Sequence, residues 1–166
     1  AAAAASRGAE ACHTAGFAPL EVMNKALAGR CRRLAGELGQ ALAVHRGAHE
    51  IARSLDGVAM QIVTEELAAD HAAAGDWEAA REWAAASIAA RNEMWMFAYL
   101  CLPELAEIHL HHGLPFTIPP LPEGDRYRLI ELRTRLVMEP SEELRVEALE
   151  LAKRLELPLE TSRLET

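Results

Sequence analysis

Gly36, Gly75 and Gly113 stand 39 and 38 residues apart, and each closes a stretch of helical pattern. A near-constant period of this length is the signature of repeated supersecondary units, each too small to bury its own apolar face, so that stacking of neighbours creates the core. A second echo carries the same shift. Arg7-Gly8-Ala9 returns 39 residues on as Arg46-Gly47-Ala48, and Ser87 stands 39 residues after Ala48. The composition says what the units are made of: Ala supplies 33 of 166 residues and Leu 23, while aromatics are 5%. Such a chain favours helix, and an all-β fold is excluded on propensity.

Each unit reads as two helices joined by a short turn. The first helices run from Val22 to Ala35 and from Val58 to Ala74; the second run from Gly39 to Ser54 and from Asp76 to Arg91. Gly75 supplies the positive φ that ends one helix, and Asp76 is placed to cap the next by accepting from a free amide of its first turn. Trp77, Ala80, Ala84, Ser87 and Ile88 recur at spacings of three and four, a face of mostly small residues that lets a neighbouring helix approach closely.

Met94 to His112 reads as a third first-helix, within which Pro103 must either kink the helix or open a new one. After Gly113 the chain enters Leu114-Pro115-Phe116-Thr117-Ile118-Pro119-Pro120-Leu121-Pro122, whose prolines favour an extended path. Only two alanines follow residue 106, and the tail becomes rich in Leu, Glu and Arg. Helices are expected there near Asp125 to Met138 and Ser141 to Glu156, the second capped by Ser141 and closing the array. The expected division is 1–113 for the repeats, 114–124 for the proline-rich loop and 125–166 for a C-terminal helical pair and tail.

These residues resemble the tetratricopeptide repeat, in the longer-spaced form found in the helical arrays of large bacterial signalling ATPases and transcriptional activators. Leu67 and Ala68 match the close-packing pair of the first helix, Gly75-Asp76-Trp77 the turn, and Ala80 the small residue of the second helix. The preceding unit matches at Gly29, Gly36, Leu38, Ala41 and Ala48. Three departures stand out: His71 replaces the usual aromatic, the units are long, and the proline that normally ends each one is missing. The resemblance implies an all-α, right-handed solenoid of two-helix repeats. It also implies a concave surface lined by the first helices, with Met23, Ala26, Arg30 and Arg33 from one unit, Ile62, Glu65, Glu66, Ala69 and Ala73 from the next, and Leu100, Glu104, Glu107 and His111 from the third. Residues that clamp a peptide carboxylate in the family are replaced here by Ala26, Arg30, Glu66, Leu100 and Glu104, so that clamp is missing.

Catalytic patterns find little support. His109 and His112 share a helix face as two metal ligands can, but no third ligand beyond Glu107 is in view, and histidines near a helix C-terminus also satisfy free carbonyls. His45 and His49 lack the Glu that a zinc-protease motif places after its first His. His45 is expected to pack inward with one hydrogen bond, and His49 to lie at the surface. Cys31 sits among Arg30, Arg32 and Arg33, yet sequence neighbours on a helix point apart. Asp70, Asp76, Glu65 and Glu66 show no acid and base split, and no glycine-rich phosphate loop occurs. Trp77, Trp83, Trp95, Phe97 and Tyr99 suit helix packing, with one of the last three free to make a contact.

The net charge of −8 disfavours a phosphate backbone as ligand, and no apolar run reaches the roughly 20 residues of a membrane span. Cys12, Cys31 and Cys101 are odd in number and form no CxxC pair, which suits a reducing cytoplasm. A start of five alanines without Met or a signal sequence reads as the beginning of a fragment. The expectation is therefore a non-catalytic interaction or regulatory module of a larger bacterial cytoplasmic regulator, without metal or cofactor. Its partner would be a protein or peptide, basic and apolar, drawn to Arg30, Arg33, Ile62, Glu65, Glu66, Ala69, Leu100, Glu104, Glu107 and His111. The alternatives are a self-associating module or a metal-binding or enzymatic domain centred on His109 and His112.

Overall fold

The computed structural model describes residues 1–55, 57–90 and 101–165. Among them all regular structure is α-helix, as the alanine and leucine content dictates. The chain divides into two compact units, Ala1–Ala98 and Tyr99–Thr166. No helix among the described residues is long and apolar enough to cross a membrane.

The first unit holds α1 (Ala2–Thr14), α2 (Ala18–Leu34), α3 (Leu38–Ala52), α4 (Gly57–Ala73) and α5 (Trp77–Ala89). Each packs on its neighbours in the chain, and α2 also reaches α4. The turns make this possible. At the end of α2 the Gly36 and Glu37 amides donate back to Arg33 and Arg32; at the end of α4 the Gly75 and Asp76 amides donate to Ala72 and His71. Both are Schellman caps, and both glycines sit in the left-handed region, at φ 80° and 76°. Asp76 caps α5 by accepting from the Ala79 amide at 3.3 Å. The helix α2 begins one turn before the expected Val22, since Pro19 is tolerated in a first turn where no intrahelical donor is needed.

Small residues set the core of this unit. Val22, Ala48, Ala52, Ala59, Val63 and Leu67 form one buried cluster, with Leu42, Ile51, Met60 and Trp83 packed on it. On α5 the expected small face is buried at Ala80, Ala84 and Ser87, whereas Ile88 lies exposed. The helix α4 is enclosed on nearly every side: Gln61 and the whole run from Val63 to Asp70 are buried.

The second unit holds α6 (Leu102–His111), α7 (Asp125–Met138), α8 (Glu142–Arg154) and α9 (Pro158–Glu165), each packed on the next. Pro103 opens α6 in its first turn instead of kinking a longer helix. The rest of the expected third first-helix, residues 94–100, lies outside the described residues. Gly113 to Gly124 carries no regular structure, α7 and α8 occupy the expected positions, and Ser141 caps α8 through the Leu144 amide. The core is leucine: Leu129, Leu132, Leu151, Ala148 and Ala152, flanked by Leu136, Leu144, Leu155 and Leu164. The tail beyond the expected pair forms a further short helix, α9. The turn before it repeats the Schellman pattern with Glu156, at φ 55°, in the place glycine holds elsewhere.

Candidate functional site

Five ionisable side chains from three helices meet inside the first unit. Arg30 and Arg33 are three apart on α2, and Glu66 and Asp70 four apart on α4, so each pair projects from one helix face. Where α2 crosses α4 the pairs interlock. Arg30 Nη2 lies 2.7 Å from Glu66 Oε1, Arg33 Nη2 is 2.8 Å from Glu66 Oε2, and Arg33 Nη1 is 2.7 Å from Asp70 Oδ1. The second Asp70 oxygen is 2.6 Å from His45 Nδ1 of α3, and the other ring nitrogen, Nε2, lies 3.0 Å from the carbonyl of Ala26 on α2.

His45 enters this cluster because Gly29 leaves room. A Cβ on Gly29 would collide with the imidazole Nε2 and Cδ2. The expected single hydrogen bond of His45 is thus corrected to two, and the ring is fully buried. His49 is half-buried, edge-on to Trp83 at 5.0 Å, and so is less of a surface residue than expected.

Burial alone would push Glu66 towards its neutral form, but the charges of Arg30, Arg33 and His45 and the hydrogen bond from Arg33 outweigh it and hold its pKa below the usual carboxylate value. Burial likewise opposes a charged His45. The hydrogen bond to Asp70, the charges of Glu66 and Asp70 and the Ala26 carbonyl prevail, and its pKa is raised. Two ring nitrogens engaged by a carboxylate and a carbonyl leave no place for a nucleophile to be activated. The cluster is suited to fastening three helices together.

The residues expected on a binding groove are placed as follows. Arg30, Arg33 and Glu66 are partners in the cluster, with the Arg33 side chain 8% exposed. Glu65 is buried and accepts from Gln61 Nε2 at 3.0 Å; Ala69 is buried and Ile62 half-buried. In the second unit Glu104 stands 3.7 Å from Arg133 and 3.9 Å from Arg163, and Arg133 pairs with Glu160 at 3.0 Å. Glu107 and His111 are exposed. Partial desolvation and the adjacent Glu104 raise the Glu107 pKa against the pull of Arg163 and His111. Leu100 lies outside the described residues. His109 turns Nδ1 to the Pro115 carbonyl at 3.1 Å and its ring edge-on to Phe116. Among the described residues no three His, Cys, Asp or Glu side chains are grouped to hold a metal ion.

Among the side chains that the first unit offers to solvent is a row of large apolar ones on and beside α2. Leu20, Met23 and Leu27 follow at spacings of three and four on α2; Leu20 and Leu27 are 49% and 51% exposed, and Phe17 just before the helix is 59% exposed. Beside this stripe, Pro19, Met23, Ser54, Leu55, Val58 and Ala59 line an open groove of about 360 Å³. Comparison of the chain with models of protein families, with curated proteins and with solved structures finds no match.

Proposed function

We propose that the chain is a non-catalytic protein-interaction module, a helical array of the tetratricopeptide kind, that holds an apolar segment of a protein partner along α2. The observation that carries this reading is the row Phe17, Leu20 and Leu27, beside the groove lined by Pro19, Met23, Leu55 and Val58. Exposed large apolar side chains at helical spacing next to an apolar groove are what a partner helix or extended segment with apolar anchors needs. The buried Glu65 and Glu66 cannot supply an acidic groove, so the reading rests on apolar anchoring and not on charge.

Selection from a peptide library followed by titration against the Leu20→Asp and Leu27→Asp variants tests it. The expected result is hits with apolar anchors whose affinity falls at least about tenfold, roughly 1.4 kcal/mol, in either variant. Hits indifferent to both changes would overturn the reading. The same exposed row also suits a second copy of the chain. Sedimentation over a range of concentrations separates the two, because self-association shifts with concentration and is abolished by Leu20→Asp, whereas an adaptor stays monomeric.

A further inference from the structure

We propose that His45 is a proton-dependent clasp: its imidazolium, and not its neutral imidazole, ties α2 and α3 to α4, so that raising the pH loosens this three-helix junction. Two acceptors face the ring. Asp70 Oδ2 lies 2.6 Å from Nδ1, and the Ala26 carbonyl oxygen lies 3.0 Å from Nε2. A carbonyl oxygen has no proton to give, and Asp70 is an acceptor while it also binds Arg33 at 2.7 Å. Both ring nitrogens must therefore donate, and only the doubly protonated ring has two N–H groups.

Neither neutral tautomer fits the same place. With the proton on Nδ1, the Nε2 lone pair faces the Ala26 oxygen; with the proton on Nε2, the Nδ1 lone pair faces a carboxylate. The ring cannot turn away or recruit water readily, because it is fully buried and lies against Gly29. The charged groups facing it come from both packed helices: Arg30 and Arg33 from α2, Glu66 and Asp70 from α4. Each arginine is held on a carboxylate, and Asp70 bridges Arg33 to the imidazole. Losing the proton breaks the link at one of its two ends, either α2 or α4.

The direction of the effect follows from linkage. A histidine whose folded pKa lies above its unfolded value contributes stability that is fully present below about pH 6.5 and is lost as the pH rises through the folded value. Across that window the folding constant falls about tenfold for each unit by which the folded value exceeds the unfolded one. The Glu66 pKa is lowered, so its charge does not change in this range, and comparison with His45→Gln separates the part of the loss that belongs to His45.

The test combines side-chain ¹⁵N NMR of the histidines with urea unfolding of the whole chain from pH 5.5 to 9.5, for wild type and His45→Gln. The expected result is that both His45 nitrogens report protonation at pH 7.5, and that the wild-type folding constant falls as the pH climbs while the variant loses this slope. If His45→Gln does not fold, the wild-type NMR titration decides alone. A His45 ring that is neutral at pH 7.5, or a folded variant with the wild-type slope, would overturn the proposal.

Discussion

The two units solve the same problem, holding short helices side by side, with different materials. In the first, alanine and valine draw the helices close, and charged side chains from α2, α3 and α4 are sealed inside. In the second, leucines fill the space between α7 and α8 and ion pairs such as Arg128 with Glu147 and Arg154 with Asp125 stay at the rim, all four side chains more than 40% exposed. The contrast shows what each kind of contact contributes. A leucine core stabilises by apolar area and is indifferent to which leucine meets which. A buried ionic cluster adds little net stability over an apolar core, yet breaking it leaves charges without partners, so it penalises every wrong register. We infer that the first unit takes its helix register from the cluster.

The largest effect expected of a single change is at Arg33, which bonds both carboxylates. Arg33→Ala should cost about 3–5 kcal/mol, mostly because one buried oxygen of Glu66 and one of Asp70 lose the arginine that neutralises them while Arg30 and His45 hold only the other two, as read from denaturant unfolding followed at the tryptophans. The same cluster makes the unit sensitive to acid. Since the Glu66 pKa is lowered in the fold, its contribution is present above about pH 4.5 and is lost as the pH falls through the folded value. Stability of the first unit should therefore decline at both ends of the pH scale, through Glu66 in acid and His45 in alkali.

Next comes Gly29→Ala, which adds one methyl where the imidazole of His45 already stands. The expected cost is about 1–3 kcal/mol by overpacking, and it should flatten the alkaline limb of the pH profile by displacing His45. The smallest effect has the opposite sign and belongs to the second unit. Glu156 holds a left-handed turn position that elsewhere belongs to glycine, so Glu156→Gly should stabilise by about 0.5–1 kcal/mol. A thermal melt that is unchanged or lowered would show that the Glu156 side chain compensates for its backbone.

Much of this helical framework was legible in the sequence. Period, glycine caps and capping residues place α2 to α5 and α7 to α8 within a few residues, because those signals are local. The cluster was not legible, because its links span 33 and 37 residues and periodicity tells which face a residue occupies without telling which helix it meets. Arg30 and Arg33 on one side and Glu66 and Asp70 on the other were assigned to an open surface or set aside. One signal was available: α4 spreads its apolar residues around the whole helix, with Ala59, Val63, Leu67 and Ala72 accompanied by Ile62 and Ala68, and a helix without a polar side is an enclosed one. Polar residues on such a helix must then find partners inside. Gly29 adds to that signal, as a gap in α2 of the size an inward-pointing His45 requires.

Arg33 and Glu66 act as one buried unit, whereas the rim pairs do not. A double-mutant cycle of Arg33→Ala and Glu66→Ala, run beside one of Arg128→Ala and Glu147→Ala, tests it directly. The expected coupling is at least about 1.5 kcal/mol for the first pair and within about 0.5 kcal/mol of zero for the second. Additive losses at Arg33 and Glu66, or equal couplings in the two units, would contradict it.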